Sequence, residues 1–217
     1  MVAVTFFEPP LDVPDTPEGR IVLAARDRFF AVGYQALTVD ALAETLCMSK
    51  KTIYKHFRSK EEIVAAAIDA IERTIRRETG LLLGDRRVSF TRKLYGVMAI
   101  IGAQYGKARP ELLRELAQAA PALHRKIDRL RRETTPAVIG TLIRAGIDGG
   151  MVRDDVDVDF AVEMWIAAAS GLLEPATLDR LGLTPRAAVE KGIELFFQGV
   201  LTARGDADLN RQRRLTD

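Results

Sequence analysis

The chain is poor in the residues that support covalent or metal-based chemistry. Its 217 residues include one cysteine, Cys47, and two histidines, His56 and His124. A single thiol excludes an intramolecular disulfide and leaves a cysteine-based zinc site without ligands. The histidines lie far apart in sequence and give little support to a His-based metal or catalytic site. There is no GxSxG, no P-loop and no GxGxxG following a strand. Asp154, Asp155, Asp157 and Asp159 cluster, but a calcium loop would want a glycine where Phe160 stands and a carboxylate where Ile166 stands. Aspartate at a helix start is the simpler account. Nothing argues for an enzyme, and no metal or cofactor is expected.

Long apolar runs are also missing: none reaches the ~20 residues needed to cross a bilayer. Met1 to Pro17 lacks the basic start and apolar stretch of a secretory signal, so a cytoplasmic protein with no membrane partner is expected. The same segment holds Pro9, Pro10, Pro14 and Pro17, no helical period and no Lys or Arg, and reads as a flexible arm. With 47% hydrophobic and 29% charged residues, the chain has an ordinary globular composition, long enough for one large or two small cores.

A net charge of only +2 hides an uneven distribution. From Arg20 to Lys60 eight basic residues face three acids, Asp27, Asp40 and Glu44. Five of the basic residues (Lys50, Lys51, Lys55, Arg58, Lys60) follow one another without an acid between them. Ile53 and Phe57 are four apart, share one helical face and can dock on a core. Lys51, Tyr54 and Lys55 then share the outward face. A short helix held by one edge, with Lys, Thr and Tyr on the other, suits a DNA major groove. Taken alone, a solvated basic helix explains the same charges.

The preceding residues add weight. Helix one is expected from Thr16-Pro17 to Val32, with Thr16 as N-cap, Pro17 at the first helical position and Gly33 as the terminating residue. Thr38 caps a helix over Val39 to Leu46. A short turn at Cys47-Met48 leads to Ser49, the N-cap of the basic helix. Ser59 and Glu62 form a capping box for a fourth helix, which carries Ile63, Ala66, Ala67, Ala70 and Ile71 and runs to about Thr79. Two short helices joined by a tight turn and packed on a longer one make a helix-turn-helix unit, with the basic face on its second helix.

Gly33-Tyr34, Leu37-Thr38-Val39, Leu42-Ala43, Ser49-Lys50, Thr52-Ile53-Tyr54-Lys55-His56-Phe57 and Lys60-Glu61 resemble the N-terminal domain of the tetracycline-repressor-like (TetR) family. The likeness covers about Arg20 to Ala67, and its most specific part is Tyr54-x-His56-Phe57-x-x-Lys60. The resemblance implies an all-α homodimer: a DNA-binding domain over 18–65, a connecting helix to about 79, an effector-binding and dimerisation domain over 80–205, and a flexible tail over 206–217. It assigns Lys50, Lys51, Thr52 and Tyr54 to base edges. Thr38, Ser49, Lys55, His56 and Lys60 go to phosphates. One departure stands out: the family usually has glycine in the turn where this chain has Cys47, and a residue held there at φ > 0 is strained.

Beyond a boundary at Gly80 to Arg87, helices are expected over Val88–Ala108, Glu111–Ala117, Ala122–Gly146, Val158–Leu173 and Arg186–Ala203, with a kink at Pro136. Phe160 to Leu173 contains one charge, Glu163, and is apolar all round, so it needs cover on every side. A second subunit is the natural cover. Phe160, Ala168, Leu172, Ile193, Phe197 and Val200 are the candidates for that interface. Tyr95, Met98, Gln104, Tyr105, Met164 and Trp165 are the candidates for an apolar pocket holding a small-molecule effector. The expected function is a regulator, most simply a repressor, released from a palindromic operator by that effector. An activator uses the same domain, and the rival from another class is a helical small-molecule-binding protein or enzyme whose helix-turn-helix is inactive.

Overall fold

The computed structural model describes residues 10–105 and 111–216. They form eleven helices: α1 (Pro17–Ala36), α2 (Val39–Leu46), α3 (Lys50–His56), α4 (Lys60–Gly84), α5 (Phe90–Tyr105), α6 (Leu112–Ala119), α7 (Pro121–Asp148), α8 (Val158–Leu172), α9 (Pro175–Leu181), α10 (Pro185–Val200) and α11 (Ala203–Thr216). Among the described residues the only β pairing is an isolated antiparallel bridge between Val152 and Leu201. No described helix is long and apolar enough to cross a membrane.

Side-chain caps set the starts of the N-terminal helices. Thr16 Oγ1 accepts from Gly19 N, Thr38 Oγ1 from Ala41 N, Ser49 Oγ from Thr52 N and Ser59 Oγ from Glu62 N. Each bond satisfies a backbone donor that the helix itself leaves unpaired. Glu62 reaches one residue further back than a standard capping box, accepting from Arg58 N at 2.6 Å. At Gly33 the helical dihedrals of α1 break (φ 87°, ψ 178°), in a region essentially closed to other residues. The expected stop at Gly33 is thus a break after which the helix resumes to Ala36.

The first core gathers Ile21, Ala25, Phe29, Leu37, Leu42, Ile53, Phe57, Ile63, Val64 and Ala67 from α1 to α4 and the links between them. It also takes in Leu112 and Leu116 of α6 and Leu123 of α7, so the N-terminal domain is sealed by helices of the second half. Leu11 belongs to it as well, and Asp12 N donates to Thr74 Oγ1 at 2.8 Å. Residues 11 and 12 are therefore packed, where the sequence suggested a loose arm. α4 runs through the expected boundary at Gly80 to Gly84, and the corner between the halves falls at 85–89.

The second core centres on aromatic contacts. Trp165 and Phe196 ring centroids are 5.5 Å apart, Phe196 and Phe197 meet edge-on at 5.2 Å, and Phe90 lies 6.1 Å from Phe197. α10 approaches α8 closely at Gly192, where an added Cβ would stand 3.1 Å from Leu172 and 3.4 Å from Trp165. α7 runs as one helix with Pro136 inside it. Asp157 caps α8, accepting from Asp159 N and Phe160 N at 3.1 Å. Two helices were not anticipated. α9 starts at Pro175, and α11 replaces the expected tail, burying Leu209 and accepting a hydrogen bond from Thr91 on Asp208.

Candidate nucleic-acid interface and interior cavity

α2 and α3 are joined by a turn built on Cys47. Its φ and ψ are 51° and 39°, left-handed, and it is the one non-glycine residue at positive φ among those described. Cys47 N donates to Glu44 O at 3.1 Å and Met48 N to Ala43 O at 2.9 Å, the bond pair of a Schellman motif. Cys47 therefore takes up the glycine conformation rather than remodelling the turn. Its side chain is exposed.

α3 is only seven residues long, too short to hold its own helix in water. Docking holds it: Ile53 is fully buried and Phe57, at its C-cap, nearly so. Burying two such side chains is worth roughly 1.5–3 kcal/mol each. The opposite face carries Lys51, Tyr54, Lys55 and His56, all exposed, with Tyr54 at 51%. Lys50 forms an ion pair with Asp40 of α2. The Ser49 and Thr52 hydroxyls bond each other at 2.8 Å, so Thr52 is partly turned inward. Thr38 is exposed at the start of α2.

Lys60 has a partner within the chain. Its Nζ donates to the Tyr34 carbonyl oxygen at 2.9 Å and lies 4.3 Å from the centroid of the Tyr34 ring. Burial, and then the Glu61 carboxylate, push the Tyr34 phenol above its ordinary range. Lys60 thus ties α4 to the end of α1. A Lys directly before the acidic pair Glu61-Glu62 gave no hint of this partner, because Tyr34 is twenty-six residues away.

Between the two cores lies an apolar cavity of about 200 Å³. Its walls come from Phe29 and Phe30 of α1, Ile68, Ile71 and Ile75 of α4, and residues of α5 to α8 and α10. Of the expected pocket residues, Met98 and Trp165 line it. Tyr95 packs against the second core, and Gln104 is buried elsewhere. Met164 is 46% exposed on the outside of α8 and cannot face the cavity. Tyr105 lies on α5, with its side chain outside the described residues. The polar lining, Glu72, Arg131, Thr134, Thr135, Arg186 and Glu190, was not anticipated. Glu72 could have been flagged, since it shares the stripe of Ile68 and Ile75 on α4.

The outer faces of α8 and α10 divide the expected dimer residues. Phe160 (68%) and Ala168 are exposed and Leu172 is half-buried. Ile193, Phe197 and Val200 are buried inside the subunit, so they belong to its own core and not to an outer surface. The exposed apolar residues are Phe160, Met164, Ala167 and Ala168 on α8, and Leu195 (74%) on α10.

Residues 21–67, which span α1 to the first turns of α4, match the family model described as bacterial regulatory proteins of the tetR family. That match is confined to the helix-turn-helix segment and the helices that flank it. A curated relative, the HTH-type transcriptional regulator TcmR of Streptomyces glaucescens, is 29% identical over 147 residues, covering 64% of this chain and 61% of that protein. Solved TetR-family structures share the fold. The regulatory protein TetR from Rhodobacter sphaeroides superposes at a TM-score of 0.62 with 21% identity, over 83% of this chain and 97% of the other. The fatty acid degradation regulator FadR from Bacillus halodurans gives 0.60 with 18% identity, over 86% and 97%. Within the matched segment, Cys47 keeps the left-handed turn between α2 and α3.

Proposed function

We propose that the protein is a homodimeric DNA-binding transcriptional regulator, acting as a repressor that a small-molecule effector releases from a palindromic operator. The observation that carries this reading is α3, fixed by buried Ile53 and Phe57 while Lys51, Tyr54 and Lys55 stand outward on a capped, docked helix. Two such helices about 34–36 Å apart enter successive major grooves. Lys51 and Tyr54 are assigned to base edges, and Thr38, Ser49, Lys55 and His56 to phosphates, which fix register without reading sequence. The left-handed Cys47 turn, which keeps α2 and α3 paired, supports the same reading.

The exposed apolar stripe of α8 and α10 supports dimerisation, since isologous packing of those helices covers it. The cavity supports effector control because it touches the DNA-binding domain directly. Phe29 and Phe30 precede the Gly33 break on the same helix, and Gln35 N beyond it donates to the Glu115 carboxylate of α6. Leu112 and Leu113 of α6 also line the cavity. A ligand there acts on both sides of the α1–α6 contact. It shifts the equilibrium only through differential affinity for the two arrangements, typically about 1–3 kcal/mol. A gel shift against DNA flanking the protein's own gene is the test. A retarded band that survives excess random DNA is expected; equal competition by random DNA at physiological salt would sink the proposal.

A further inference from the structure

The charged groups around the cavity are compensated unequally. Glu72 accepts from Thr134 Oγ1 at 2.6 Å and from Arg76 Nε at 2.8 Å. Arg186 Nε donates to Glu190 Oε1 at 2.7 Å. Arg131 has a weaker partner: its Nη1 stands 3.4 Å from Asp128 Oδ1, and Asp128 also faces His124 Nδ1 at 3.4 Å through its other oxygen. Both separations are long for a charge-assisted bond. Arg131 is mostly buried, so among the cavity's charged groups it is a cation with fork donors left over at the edge of a low-dielectric space.

Size narrows the ligand further. A dry apolar cavity of ~150 Å³ holds benzene, so about 200 Å³ suits one or two rings or a short chain. The aromatic walls are Phe29, Phe30 and Trp165. We propose that the cavity takes a compact hydrophobic organic acid, its body packed among those three rings and its carboxylate on the Arg131 guanidinium. This rests on the effector reading given above. A carboxylate completes the fork of Arg131 bidentately. An alcohol of the same shape leaves most of it unmatched, and an amine adds a second cation beside it.

Trp165 is the chain's one tryptophan and lines the cavity, so its emission reports occupancy. The experiment titrates the full chain with phenylbutyrate, phenylbutanol and phenylbutylamine, which share a body and differ in the charge of the head. Phenylbutyrate is expected to perturb Trp165 emission and to bind about tenfold or more tightly than the alcohol, with the amine weakest. Arg131→Gln is expected to abolish that preference, while phenylbutanol still perturbs Trp165 emission and so shows that the cavity is intact. The inference is overturned if the alcohol or amine binds as tightly as the acid, if Arg131→Gln keeps the preference, or if none of the three perturbs Trp165. A parallel gel shift separates the two readings. Operator binding without acid preference sinks the ligand class alone, and acid preference in a chain that ignores its operator sinks the regulator reading alone.

Discussion

Lys60 and Tyr34 are joined twice, by the 2.9 Å bond from Nζ to the backbone carbonyl and by the ammonium lying 4.3 Å from the ring centroid. The bond satisfies a carbonyl just past the Gly33 break, where the helical ladder of α1 is interrupted. The pair therefore holds the end of α1 against the start of α4, immediately behind α3.

Lys60→Ala removes both contacts. We expect a loss of about 1–2 kcal/mol in the stability of the N-terminal domain, read by urea denaturation, with Lys60→Arg recovering part of it. Operator affinity should fall through misplacement of α3, while the slope of log affinity against log salt stays as in the wild type. A slope lower by about one unit would return Lys60 to the phosphate backbone.

Cys47 offers the cleanest strain measurement. A non-glycine residue in the left-handed region costs roughly 1–2 kcal/mol, and glycine gives back about half of that through its freer unfolded state. Cys47→Gly should therefore stabilise the domain by about 0.5–1 kcal/mol, and Cys47→Val, β-branched, should destabilise it. A melting temperature unmoved by the glycine would mean that the turn carries no strain.

The contrast between these sites and the cavity shows what a sequence can reveal. Thr16, Thr38, Ser49, Ser59 and Asp157 all act as N-caps, because capping is settled by residues two or three positions away. The two faces of α3 are equally legible, since Ile53 and Phe57 state which side is inward. The cavity is not local. Phe29 and Phe30 meet Trp165 only through the packing of α1, α4, α7 and α8, and nothing in the spacing of Tyr95 or Met164 says which helix they face. On α10 the stripe Ile193, Phe196, Phe197 and Val200 was readable, but not whether the subunit or its partner covers it. The subunit does, and Leu195 is left outside.

That division predicts different outcomes for neighbouring substitutions. Leu195→Glu or Met164→Glu places a charge on the exposed stripe and should give a folded monomer in sedimentation velocity, with unchanged helical content. Phe197→Glu buries an unpaired charge in the second core, where the wild-type ring is 1% exposed. It should unfold the C-terminal half instead. A Leu195→Glu variant that remains dimeric at micromolar concentration would move the interface away from α8 and α10.

Reading and positioning on α3 can be separated by comparing operator with random DNA. Lys51 and Tyr54 stand outward, whereas Lys50 is held by Asp40 and Thr52 by Ser49. If Lys51 and Tyr54 meet base edges, alanine at either should cost roughly 1–3 kcal/mol on the operator and far less on random DNA. Asp40→Asn frees Lys50 and should strengthen binding to both DNAs by a similar factor, because an added free cation near the backbone carries no sequence information. The measurement is a pair of salt titrations on each variant. Equal losses on operator and random DNA for Lys51→Ala and Tyr54→Ala would show that α3 holds the backbone and reads no bases.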